Sequence, residues 1–317
     1  MFRSILLSMA GLLLTCSTFA NSFSVVEHVP DSTVFIGKID VEAVRNSTIA
    51  QDLMDLHSQQ LAMARTFMRE FVGLDPESVH TAWVLGEGDQ RGLVILKGSF
   101  SDHDIRNKFG NLPNVERVTR HGTLYAVTFE DDKKPDTINL GAVIDKDTLL
   151  VGNQEYADTF LRSARLDRGL LPVDDPRLVQ VDTSTHSITG IVLKELSDLP
   201  NMDKDFASAV EQAMLIVNVK DGVQVEIQLT ASDQDHASAL ASIGKGLLEI
   251  KRNGLQAAAG GPARLQDLPR RRIGKQIDKA AIAMAAISSA KVTQNGQMVT
   301  LSIEVPGQDI RNALAKK

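Results

Sequence analysis

The sequence predicts an α+β protein of two similar halves, each a meandering, mostly antiparallel sheet with helices packed on one face. Two observations carry this. The first is period-two alternation. In "VQVEIQL" (Val223–Leu229), Val223, Val225, Ile227 and Leu229 point one way while Gln224, Glu226 and Gln228 point the other. Val299, Leu301, Ile303 and Val305 repeat the pattern against Thr300, Ser302 and Glu304. Such alternation implies one buried and one wet face per strand, hence an antiparallel sheet. The second observation is recurrence. "VKDGVQVEIQLTASDQDHASAL" (Val219–Leu240) and "TQNGQMVTLSIEVPGQDIRNAL" (Thr293–Leu314) share a two-residue turn, a strand, a polar break and a helix start. "GSFSDHDIRNKF" (Gly98–Phe109) carries the last three again. Asp221-Gly222 and Asn295-Gly296 suit tight hairpins, whose central residues take positive φ.

The elements follow in order. Residues 1–20 read as a signal peptide: Arg3, a run of ten mostly apolar residues from Ile5 to Leu14, then small residues ending Thr18-Phe19-Ala20. The run is too short to span a bilayer. Cys16 offers a competing role as a lipid-attachment site, although Thr15 before it is bulkier than such sites favour; either way no cysteine is left to pair in the mature chain. "STVFIGKID" (Ser32–Asp40) reads as a strand and Val41 to about Val72 as a helical tract. Its Leu53, Leu56, Gln60, Met63, Phe67 and Phe71 recur at near-helical spacing and are assigned to core packing. Hairpins are expected over Thr81–Phe100, turning at Glu87–Arg91; over Val115–Glu130, turning at His121-Gly122; and over Ile138–Gly152, turning at Asp145–Asp147. The helix Glu155–Leu166 closes an N-terminal half, 21–170.

"DRGLLPVDDPRLV" (Asp167–Val179), with two prolines and a glycine, marks the boundary to a C-terminal half, 171–317. There the strand Ser187–Leu196 and the helix Lys204–Gln212 precede the first repeated hairpin and a helix from about Ser232 to Arg252. Asn253–Arg272, rich in glycine and alanine, reads as a mobile loop, and Lys275–Ala290 as a helix before the final hairpin.

The recurring aspartates at the helix starts, in Ser101-Asp102-His103-Asp104 and Ser232-Asp233-Gln234-Asp235, are assigned to capping. Ser stands at the N-cap with acids in the first turn: the Ser oxygen can accept an orphan N–H, and acids suit the positive end of the helix. Asp104, Asp235 and Asp309 gathered round one cavity would contradict this.

Chemistry is sparse. The net charge of −6 disfavours nucleic acid and anionic membranes. None of the seven histidines, His28, His57, His80, His103, His121, His186 and His236, falls in a metal-ligand spacing. No nucleophile elbow, phosphate loop or dinucleotide-binding glycine run occurs. "PRRRIGKQ" (Pro269–Gln276) concentrates Arg270, Arg271, Arg272 and Lys275, a possible contact for anionic groups that four cations make weak as a membrane anchor.

The mature start, "HVPDSTVFIGKIDVEAVRNSTIAQDLM", followed by "GLDPESV" (Gly73–Val79), resembles a pattern found in uncharacterised exported bacterial proteins. That resemblance implies no assigned chemistry and transfers no functional residue.

The leading expectation is an exported, non-catalytic binding or envelope-associated interaction protein in the bacterial periplasm. It would use no catalytic, cofactor or metal site, have no transmembrane segment in the mature chain, and take a protein partner in the cell envelope. The alternatives are a hydrolase built from distant Asp and His residues, in which His80, His121 or His186 meets a carboxylate, and an envelope protein lipid-anchored at Cys16.

Overall fold

A computed structural model describes residues 23–315 apart from 57, 88–90, 101, 110, 112–114, 121–123, 132–133, 195, 197–203 and 260–281. Cys16, His121, Arg270, Arg271, Arg272 and Lys275 therefore lie outside the described residues.

Twelve strands form one antiparallel sheet. In chain order they are β1 (Phe35–Asp40), β2 (Val79–Gly86), β3 (Gly92–Gly98), β4 (Val115–Arg120), β5 (Leu124–Asp131), β6 (Lys134–Asp145) and β7 (Thr148–Asn153), then β8 (Ile188–Val192), β9 (Val210–Val219), β10 (Val223–Ala231), β11 (Lys291–Asn295) and β12 (Met298–Val305). Their spatial order is β11-β12-β10-β9-β8-β1-β2-β3-β7-β6-β5-β4. The path β1-β2-β3 followed by β7-β6 is matched by β8-β9-β10 followed by β12-β11. The repetition in the sequence thus has a counterpart in the topology. β1 and β8 pair antiparallel, Gly37 opposite Gly190, and fuse the two series into a continuous sheet.

The helices are α1 (Val41–Arg45), α2 (Thr48–Leu56), α3 (Ser58–Phe67), α4 (Asp102–Phe109), α5 (Gln154–Leu166), α6 (Pro176–Asp182), α7 (Lys204–Ala209), α8 (Gln234–Ala259), α9 (282–289) and α10 (Gly307–Ala315). Consecutive residues of a strand point to opposite sides, so Leu150 and Leu149 of β7 enter two different cores. The first is the larger. Phe160 and Tyr156 of α5 and Leu178 and Val181 of α6 pack there on Ile36, Leu85, Leu93, Ile95 and Ile191. Full burial of one such side chain contributes about 1.5–3 kcal/mol. On the opposite face, Ile105 of α4 and Leu74 pack on Val79, Val143 and Leu149.

Local expectations change for the helix 204–212, the start of the loop 253–272 and the helical tract 41–72. The helix assigned to Lys204–Gln212 ends at Ala209, because Val210 is buried and pairs with Ala231 as the start of β9. Asn253–Ala259, expected to open a loop, extend α8; an alanine run is the strongest helix former. The boundary stretch holds a helix. Asp175 caps α6 and Pro176 stands in its first turn, where a missing N–H costs nothing. That stretch is also tied down, since the backbone N–H of Asp31 donates to the Gly169 carbonyl at 2.8 Å and that of Leu171 to the Val29 carbonyl at 2.9 Å. The helical tract 41–72 is broken into α1, α2, α3 and a π-helical turn, Met68–Val72. In its stripe Met63 is 63% exposed, outside any core.

Candidate functional site

The second face of the sheet is apolar over a long distance. A single row of cross-strand neighbours runs Val151, Val94, Val84, Gly37, Gly190, Leu215, Ile227 and Leu301, from β7 to β12. Four of these side chains stay open to solvent: Val94 and Val151 at 37%, Leu215 at 36% and Ile227 at 37%. The two central glycines leave room for the Phe35 ring, and a Cβ on Gly190 would lie 2.9 Å from it.

At the first-half end of this face, helix and sheet separate enough to leave a cavity of about 210 Å³. Met68, Leu74 and Ile105 roof it, and Leu96, Phe129, Val143, Leu149 and Val151 belong to its floor. All its lining residues are apolar. Val151 belongs both to the cavity and to the exposed row, so the cavity continues onto the open face. The roof is held together by Lys108 of α4, whose Nζ donates to the Arg69 carbonyl at 2.9 Å. Arg69 in turn pairs with Asp75 at 2.9 Å. The Asp75 carboxyl is held below its usual range, first by the Glu77 backbone N–H and then by Arg69. A further apolar strip lies on α8, where Ile243, Leu247 and Ile250 recur at helical spacing and are exposed.

One hydrogen-bonded cluster lies beside this core. His80 stands at a bulge, where the β2–β3 register shifts between Val79 and Thr81. Its Nδ1 is 2.9 Å from Glu42 Oε1, in the first turn of α1, and its Nε2 is 3.2 Å from Ser99 Oγ, just past β3. Asp40 holds α1 in place by accepting the Ala43 N–H at 2.8 Å, and Ser99 N–H donates to the Ser78 carbonyl at 2.9 Å. The His80 and Glu42 side chains are 43% and 51% exposed.

Of the other histidines, His186 meets the amide of Asn218 at 3.0 Å rather than a carboxylate. His236 lies 2.8 Å from Asp233, whose other oxygen caps α8 by accepting the His236 N–H at 2.7 Å. Asp235 and Asp309 stand in the first turns of two separate helices, α8 and α10, and neither lines the cavity. Among the described residues, no group of three or more His, Cys, Asp or Glu side chains is placed to hold a metal ion.

The first described residue is firmly held. Phe23 N–H donates to Asp145 at 3.2 Å, and Lys97 Nζ donates to the Phe23 carbonyl at 2.6 Å and to Thr148 at 2.8 Å. Burial lowers the Lys97 pKa, against the pull of Asp145 and Asp147. No helix among the described residues is long and apolar enough to cross a membrane.

Neither the cavity nor the His80 cluster has a local signature. His80 stood out in the sequence only as a histidine to look for beside a carboxylate; Glu42 and Ser99 did not stand out.

No protein-family model matches the chain, and no curated protein matches it. Among solved structures, it is similar to those titled crystal forms I and IV of TP0453. The TM-scores are 0.44 and 0.46 at 10% and 9% identity, over 93% of this chain and 98% and 96% of theirs.

Proposed function

We propose that the protein works by binding: it is an exported, envelope-associated protein that takes an apolar chain, such as the alkyl portion of an amphiphile, into the cavity beneath Met68, Leu74 and Ile105. The cavity carries this reading. An apolar space of about 150 Å³ already admits benzene, and this one is larger, entirely apolar in its lining, and continuous with an exposed apolar row. The strip on α8 adds a second apolar surface for an envelope partner. Support for export comes from the leader-like residues 1–20.

The test is a titration of the exported protein with a fluorescent alkyl probe, competed by alkyl carboxylates of increasing length. Saturable binding that tightens with chain length supports the reading. A probe that binds only at the level of an inert control protein overturns it. A tether at Cys16 is a separate proposal: Cys16→Ala followed by cell fractionation tests it, and unchanged membrane association rejects it.

A further inference from the structure

The contacts around His80 have a definite polarity. With Nδ1–H donating to Glu42, Nε2 is left as the acceptor for the Ser99 hydroxyl. Carboxylate on one ring nitrogen and hydroxyl on the other is the connectivity that turns imidazole into a base for a serine nucleophile. The three residues come from separate elements, and a β-bulge, a device that re-aims side chains next to active sites, sets the position of the histidine. Each also adjoins a residue of the second core: Val41 precedes Glu42, Val79 precedes His80 and Phe100 follows Ser99. That same core supplies Leu74, Ile105, Val143 and Leu149 to the cavity. Glu42, His80 and Ser99 do not themselves line the cavity; each is one residue from the apolar cluster that does.

We infer that Ser99, His80 and Glu42 form a catalytic relay that hydrolyses carboxylic esters, with the acyl chain of the ester in the cavity. This goes beyond binding and rests on it for the substrate class. Ser99 Oγ attacks the ester carbonyl carbon while His80 Nε2 takes the hydroxyl proton. The carbon–oxygen bond to the alcohol then breaks, and the alcohol leaves with the proton returned by His80. Water repeats the sequence on the acyl-serine, giving the carboxylic acid and restoring Ser99. Water is the co-reactant, and each proton taken by His80 is given back.

The N–H of Ser99 is already committed to Ser78, so the charge on the carbonyl oxygen needs another partner. Arg45 is engaged at the Glu42 end of the relay, with Nη2 3.8 Å from Glu42 and Nη1 donating at 3.0 Å to the Glu77 carbonyl, so at this half-exposed site solvent water takes that role. Glu42 acts through His80 and is a positioning residue.

The experiment uses the full exported protein with p-nitrophenyl acetate, hexanoate and octanoate, and a fluorophosphonate probe followed by peptide mass mapping. The probe should label Ser99. Ser99→Ala and His80→Ala should each lower kcat/KM by about 10²-fold or more. Glu42→Gln should lower kcat with KM unchanged, which a merely structural role would not do. Hexanoate should be turned over faster than acetate. Ser99→Ala hydrolysing like the parent protein, or a label on another residue, overturns the relay. Equal rates for acetate and hexanoate overturn the substrate class. If the alkyl probe still binds while hydrolysis is absent, the relay alone is rejected; if neither is seen, the binding reading falls with it.

Discussion

Filling the cavity separates a ligand site from a packing defect. Val143 of β6 is buried and lines the space, so Val143→Phe drives a ring into it. An enclosed void forgoes about 24 cal/mol per Å³, and because this one opens onto the sheet face the figure is an upper bound. Over 210 Å³ that comes to ~5 kcal/mol of contact available to whatever occupies it. As a binding free energy, 5 kcal/mol corresponds to a Kd of a few tenths of a millimolar, and chain lying along Val151 and Val94 tightens it. The substitution should weaken binding of the alkyl probe at least tenfold while leaving the urea midpoint unchanged or raised, because the ring recovers contacts that the native protein lacks. A probe titration beside an equilibrium urea melt reads both quantities. Undiminished binding in a folded Val143→Phe protein would show that the ligand sits elsewhere. A destabilisation of about 1–3 kcal/mol, typical of overpacking a filled core, would show that the space is not there.

Four further outcomes follow from the packing. Tyr156 is fully buried with its hydroxyl 2.7 Å from Thr33; Tyr156→Phe strands the buried Thr33 hydroxyl and should cost about 1–3 kcal/mol in a urea melt. Burial also raises the Tyr156 pKa. The unfolded chain then loses this proton first, so stability should fall as pH rises past about 10, and Tyr156→Phe should remove that part of the slope. Asp175 accepts from the Arg177 guanidinium at 2.7 and 3.0 Å, which holds its carboxyl below the usual range. Its contribution is complete above the unfolded value near 3.9 and is lost as pH falls through the lower folded value, so Asp175→Asn should flatten the acid limb of urea midpoints measured between about pH 2 and 6. A Cβ at Gly307 would lie 1.7 Å from the Asp221 carbonyl oxygen; Gly307→Ala should cost about 1–3 kcal/mol or more, seen as earlier thermal unfolding, because backbone cannot yield as a side chain can.

Much of the secondary structure was legible because its causes are short-range. Chain reversals appear where Asp-Gly and Asn-Gly stand, but not as the expected two-residue turns. Asp221 and Gly222 lie in a three-residue loop between β9 and β10 with neither at positive φ. Between β11 and β12 Asn295 still pairs with Met298, so the turn is Gly296-Gln297 with Gly296 at φ 60°. Alternation marked β10 and β12 and the apolar side of each, although that side of β10 is only partly covered, with Ile227 exposed, and the side chain that caps α8 is Asp233 rather than the Ser expected there. Misreadings arose where neighbours outvoted the local pattern. Val210 reads as helix until β10 supplies a pairing partner. Glycine in Asn253–Ala259 suggested a loop, yet the helix runs through it.

The candidate site was hardly legible, for a physical reason. Alternation states that a strand has an apolar side; it does not state which strand lies next to it. Pairing β1 with β8 and β3 with β7, across segments far apart in the chain, is decided by the assembly of the whole sheet. That assembly aligns Val151, Val94, Leu215 and Ile227 into one exposed row, leaves the cavity under Ile105, and brings Glu42, His80 and Ser99 within hydrogen-bond distance. Residue types and their spacing determined the strands, turns and caps, each set by interactions within a few residues. The apolar face and the relay depended on contacts that exist only once distant strands have paired.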